Sequence, residues 1–114
     1  MERRKYSRYF VGLEIEIKEA GSSFVLRGAT IDVSVGGCYL ATIFPLAVGS
    51  QIHFSMRVAD KSVRGRGSVQ TSHPGVGMGI QFIDLTGEDK LLLDRHLRAS
   101  DPLPSEDILQ TYLR

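Results

Sequence analysis

Apolar and polar residues alternate along most of the chain with the two-residue period of strands. From Phe10 to Lys18, Val11, Leu13, Ile15 and Ile17 fall on one side and Gly12, Glu14, Glu16 and Lys18 on the other, which predicts a half-buried strand. Ala20-Gly21-Ser22-Ser23 reads as a turn, and Phe24–Val33, rich in β-branched residues, as a second strand. A turn over Asp32–Gly37 leads into a short third strand, Cys38–Thr42. Gln51–Val58 alternates again, with Ile52, Phe54, Met56 and Val58 inward. After Asp60-Lys61 comes Val63–Thr71, where Gly65 and Gly67 share a side with Val63 and Val69 and predict a sharply bent or crowded strand, as at a barrel corner. His73-Pro74-Gly75 turns the chain into a last strand, Met78–Ile83. Six strands joined by short turns, with no helix between them, predict an antiparallel barrel, whose closure removes exposed strand edges.

The period then changes. Thr86-Gly87-Glu88-Asp89 has the form of a capping box, and Leu92, Leu93, His96 and Leu97 make a helical stripe out to about Ala99. Asp101-Pro102-Leu103-Pro104 ends that helix. Ser105 caps a short second helix with Ile108, Leu109, Tyr112 and Leu113 on one face. A segment that short is marginal alone, so it must pack on the barrel, on the first helix or on a partner. The expected fold class is all-β with a C-terminal helix, and the expected divisions are a flexible basic arm at 1–9, barrel plus helix at 10–100, and an extension at 101–114.

Composition narrows the chemistry. A chain of 114 residues fits one domain, and 24% charged residues with a net charge of +1 leave no global field toward nucleic acid or membrane. Any anion site must be local, and positive charge is gathered at the N-terminus. The single cysteine, Cys38, reads as a buried core thiol in a reducing compartment. No apolar run approaches the ~20 residues of a membrane span and no apolar leader is visible, which predicts a cytoplasmic chain without membrane insertion. His53, His73 and His96 are too scattered for a metal site, and no catalytic constellation appears, so a non-enzyme is expected. Arg64-Gly65-Arg66-Gly67 lies within a predicted strand and reads as a solvated face, and the chain lacks the basic, aromatic-lined groove that would bind nucleic acid.

Two short patterns carry the candidate function: R-x-x-x-R at Arg4 and Arg8, and D-x-S-x-x-G at Asp32, Ser34 and Gly37. In this order and spacing they resemble the PilZ domain family, bacterial receptors for cyclic di-GMP, and the resemblance covers roughly Arg3 to Arg98. It implies a six-stranded PilZ-type barrel, cyclic di-GMP as a ligand rather than a cofactor, and an N-terminal arm that folds over the barrel when ligand binds. The residue types suit that ligand. Arginine forks onto phosphate, stacks on ring faces and pairs with guanine O6 and N7, so Arg4 and Arg8 clasp the ligand and Arg3 adds a third cation, which would favour a stacked pair of ligands. Asp32 accepts from guanine N1–H and the amino group, Ser34 donates or accepts, and Gly36-Gly37 lets backbone come close. The stretch Val76-Gly77-Met78-Gly79-Ile80-Gln81-Phe82 is similar to the family's last strand and places Gly79 beside the site. The resemblance further implies regulation of a protein partner in motility, polysaccharide or biofilm output. The alternative is a ligand-independent interaction module, and a homodimer stays open, with Ile108–Leu113 as one docking element.

Overall fold

The computed structural model describes residues 6–99. The chain runs through β1 (Glu14–Glu19), β2 (Val25–Ser34), β3 (Gly37–Ala41), β4 (Gln51–Val58), β5 (Lys61–His73), β6 (Gly77–Leu85) and α1 (Gly87–Arg98). The strands close into an antiparallel barrel in the order β1-β2-β3-β6-β5-β4, as the alternation predicts. The expected short helix after Ser105 lies outside the described residues.

Every neighbouring pair in the ring is antiparallel. Odd-numbered strands therefore run one way and even-numbered strands the other. The loops after β1, β3 and β5 all lie at one end of the barrel. The arm's entry into β1, the β2–β3 and β4–β5 turns and the start of α1 lie at the opposite end. This parity decides where function and bare surface fall.

Ile15, Ile17, Leu40, Ile52, Met56, Val58, Val63, Val69 and Met78 fill the barrel interior. α1 packs on β2, β4 and β5, strands from both sides of the ring, and so lies across one mouth with Leu93 and Leu97 fully buried. Thr86 caps it, its hydroxyl accepting the Asp89 N–H at 3.1 Å. The reciprocal half of the capping box is absent: Asp89 instead accepts from the backbone N–H of Arg64 at 3.4 Å, which ties the helix to β5. The loop between β3 and β4 covers the other mouth, where Leu46 packs against the core.

Two departures from simple alternation matter. The first strand starts at Glu14 rather than Phe10. The buried Thr30 hydroxyl accepts the Leu13 N–H at 2.8 Å and donates to the Val11 carbonyl at 2.8 Å, so a side chain holds residues 11–13 where alternation alone predicts a ladder. The second is a set of register shifts, with Ile31 the extra residue in β2, Gln70 the extra residue in β5, and Ile83 the extra residue in β6 opposite Arg66 and Gly67. Each inserts a residue and changes which side chains face inward. Gly65 and Gly67 are crowded, as expected: a β-carbon on either would run into a carbonyl oxygen of β6, Asp84 for the first and Gln81 for the second.

Candidate functional site

The bulge in β2 creates the site. Leu26 and Thr30 face inward, yet past the shift Val33 is fully buried and Asp32 turns to the outer wall. There Asp32 lies opposite Tyr39 on β3, which lies opposite Gly79 on β6, which lies opposite Thr71 on β5. This row and the turn beside it floor an open cleft of about 610 Å³, within the ~300–1,000 Å³ of small-molecule sites.

The arm reaches the cleft through a two-way backbone bridge. Tyr9 N–H donates to the Val33 carbonyl at 2.8 Å, and Val33 N–H donates to the Tyr9 carbonyl at 2.9 Å. With Thr30 gripping residues 11–13, this sets Arg8 directly over Asp32. Arg8 forks onto the carboxylate, Nε to Oδ1 at 3.2 Å and Nη2 to Oδ2. Asp32 is only 8% exposed. The two bonds use the Nε/Nη2 edge and leave the Nη1 hydrogens without a partner among the described residues. The ion pair thus presents the guanidinium to the cleft in a fixed plane.

Ser34, on the end of β2, closes the β2–β3 turn: its hydroxyl accepts from Gly36 N–H at 3.1 Å and leans toward the Gly37 carbonyl at 3.4 Å. The two glycines divide their work differently from the sequence expectation. A β-carbon on Gly37 would run into the Ile80 carbonyl oxygen of β6, so that glycine permits strand pairing. Close approach of a ring happens at Gly36, where a β-carbon would sit 2.6 Å from Tyr6 Cδ2. Gly79 N–H donates to Thr71 Oγ1 at 3.0 Å, on the cleft floor.

Arg8, Asp32, Ser34, Gly36, Gly37 and Gly79 therefore line one cleft. Arg3 and Arg4 lie outside the described residues. The sequence reading did not single out Tyr6, Tyr39, Thr71, Gln81 or Lys90, which also line it. Lys90, on the first turns of α1, holds its ammonium 5.9 Å from the centre of the Tyr6 ring, within cation–π range. No local motif marks these residues, because strand pairing and the helix across the barrel mouth bring them to the cleft.

Cys38 faces inward behind this wall. Burial, and secondarily the Asp32 carboxylate, push its thiol up to about 12, so it stays neutral and unreactive at ordinary pH. Among the described residues no group of His, Cys, Asp and Glu side chains is arranged to hold a metal, and no helix is long and apolar enough to cross a membrane.

The family described as PilZ domain matches residues 2–99. The chain belongs to the PilZ family. Its barrel is similar to that of the Bacillus subtilis inhibitor of motility MotI/DgrA, with a TM-score of 0.74 at 15% identity over 87% of this chain and 51% of that one. It is also similar to the PilZ domain of CeSA from a cellulose-synthesizing bacterium, with a TM-score of 0.64 at 19% identity over 81% of this chain and 95% of that one. PlzA of Borreliella burgdorferi, solved in complex with c-di-GMP, gives a TM-score of 0.64 at 16% identity over 84% of this chain and 41% of that one. This PilZ domain thus spans about half of MotI/DgrA and less of PlzA, and at these identities the likeness is one of fold. No curated protein matches the chain in sequence.

Proposed function

We propose that this PilZ domain is a non-enzymatic cytoplasmic receptor for cyclic di-GMP that changes conformation to regulate a protein partner. The observation that carries the reading is the Arg8–Asp32 fork beside the Ser34–Gly37 turn: a fixed guanidinium and a guanine-edge acceptor share one cleft. In this reading Arg8 takes a phosphate or guanine O6 and N7 with its remaining N–H groups. Asp32 turns part of its capacity to the guanine N1–H and amino group, Gln81 supplies a second polar edge, and Arg3 and Arg4 complete the clasp. Lys90 neutralises a further phosphate oxygen, and Tyr6 leaves Gly36 to stack on a base. That movement would pull on α1 through the Tyr6–Lys90 contact and make ligand occupancy visible at the helix surface. Family membership supports the ligand. Similarity in fold to an inhibitor of motility and to a PilZ domain from a cellulose-synthesizing bacterium supports motility or polysaccharide control as the output.

Isothermal titration calorimetry with cyclic di-GMP, beside GTP and cyclic di-AMP, tests this. Selective saturable binding is expected, with the stoichiometry distinguishing one ligand from a stacked pair. Arg8→Ala should lose at least ~1.5–3 kcal/mol of binding, the scale of hydrogen bonds to charged groups. Equal heats for all three nucleotides, or affinity untouched by Arg8→Ala, would remove the proposed site. A ligand-independent interaction module is the second reading. It is favoured by the Tyr6 ring packing over Gly36, the place in the turn that a base would approach, and an absence of nucleotide binding would put it first.

A further inference from the structure

The cleft floor runs onto β6 where two successive outward positions, Gly77 and Gly79, carry no side chain, while Met78 and Ile80 between and beyond them point into the core. Glycine inside a strand weakens it and marks a place where another group comes close. Here that group is the ring of Tyr39. A β-carbon on Gly77 would lie 2.6 Å from Tyr39 Cε1 and 3.1 Å from Cζ, and one on Gly79 would lie 3.9 Å from Cδ2. Cε1 and Cδ2 belong to opposite edges of the ring, so the ring spans both glycines. Its hydroxyl meets His73 Nδ1 at 3.1 Å, and the two rings lie 6.1 Å apart, tilted by 32°. Tyr39 is therefore held at both ends, by strand pairing at its backbone and by His73 at its hydroxyl.

We propose that Tyr39 is a ligand-contacting platform on which the face of one purine base lies, and that His73 is a positioning residue that fixes the ring through its hydroxyl. The proposal rests on the cyclic di-GMP reading of the cleft and adds a residue that neither sequence motif contains. Three observations point to a base. Tyr39 lines the cleft, and the residue directly opposite it on β2 is Asp32, so a base lying on the ring has its edge beside the carboxylate. The ring rests on β6 yet stays only half-buried, which leaves surface for a second flat group. It is also already fixed, so it gives up little freedom when a base arrives, whereas Tyr6 has to leave Gly36 first. The work is divided by geometry. Arg8 and Asp32 choose the base at its edge, and Tyr39 holds any purine by its face. Tyr39 thus contributes affinity without contributing to the choice of guanine.

Isothermal titration calorimetry of the full chain with cyclic di-GMP, comparing wild type with Tyr39→Leu, Tyr39→Phe and His73→Ala, tests this. Tyr39→Leu should weaken binding ~10-fold or more, the scale of base–aromatic stacking, and Tyr39→Phe, which keeps the ring, should weaken it less. The preference for cyclic di-GMP over its inosine analogue, which lacks the amino group, should be the same in Tyr39→Leu as in wild type. His73→Ala should weaken binding in the wild-type background and add nothing to Tyr39→Phe, which has no hydroxyl to hold. A measurement on the unmutated protein guards against a variant that does not fold: with tyrosine rings labelled with carbon-13, the Tyr39 ring protons should shift upfield under the ring current of the stacked base. Tyr39→Leu binding as tightly as wild type, or Tyr39 resonances that stay in place at saturation, would overturn the platform. If Arg8→Ala still weakens binding in that case, the cyclic di-GMP reading stands without it. A His73→Ala loss that is undiminished in Tyr39→Phe would overturn the positioning role. A wild-type protein that does not bind cyclic di-GMP would overturn both the platform and the reading beneath it.

Discussion

The two ends of the barrel are built from the same strands and face water with opposite chemistries. At one end a half-buried ion pair, a buried threonine hydroxyl and a serine-closed turn hold the arm in place, and α1 seals the mouth with two fully buried leucines. At the other end apolar loop tips stand in solvent with no charge among them. Polar groups that are costly to bury are concentrated where orientation matters. Apolar groups that are costly to expose are concentrated where nothing in the chain orients a ligand. The strand ring is therefore a divider: one end is specified by hydrogen bonds, the other by shape and solvent exclusion.

The contrast can be broken most sharply at the helix. Leu97→Ala should destabilise by ~2–5 kcal/mol through the cavity it opens, measured by urea unfolding, whereas Phe44→Ser at the opposite pole should change stability by no more than ~0.5 kcal/mol. Equal costs would mean the exposed pole is covered. Next comes the hydroxyl that fixes the arm. Thr30→Val leaves the Leu13 N–H buried without its acceptor and should cost ~1–3 kcal/mol. It should also weaken nucleotide binding, although Thr30 does not line the cleft. Unchanged affinity in a destabilised variant would show that the arm does not need this grip.

Cys38 gives a pH signature of the cleft wall. Its folded pKa is raised from 9.0 to about 12, so the folded state holds its proton where the unfolded state loses it. That contribution is intact below pH 9 and is lost as pH rises toward 12, with a ceiling on the order of 4 kcal/mol. Denaturation followed from pH 8 to 11 should show a decline that is shallower in Cys38→Ala. A modest gain is expected at Ala59, a non-glycine residue at φ 58 in the β4–β5 turn. Ala59→Gly should raise stability by up to ~1 kcal/mol, by relieving a left-handed conformation that costs about 1–2 kcal/mol, detectable as a higher denaturation midpoint.

Much of this was legible in the chain. Gln51–Val58 alternates without interruption and is β4 to the residue, and Leu93 and Leu97 announce the buried face of α1. Alternation failed where a residue is inserted. Nothing in Thr30-Ile31-Asp32 signals that Ile31 is the inserted residue, because the bulge depends on pairing with β3. Phe10–Leu13 kept the strand period while bonding to the Thr30 side chain, a distinction that periodicity does not carry. In the site, Arg8, Asp32 and Ser34 are named by the family resemblance that the two motifs carry. Lys90 and Gln81 are brought to the cleft only when the ring closes.

The cleft also holds a built-in optical probe. The chain has no tryptophan and four tyrosines. Tyr6 and Tyr39 line the cleft, Tyr9 is bonded to the strand that carries Asp32, and Tyr112 lies outside the described residues. Ultraviolet emission from the unlabelled protein is thus weighted toward the arm and the cleft floor. Displacing Tyr6 from Gly36 and Lys90, or stacking a purine on its ring, would alter its quantum yield directly. Stopped-flow tyrosine fluorescence could then time the arm's movement separately from the arrival of the ligand, with no engineered label.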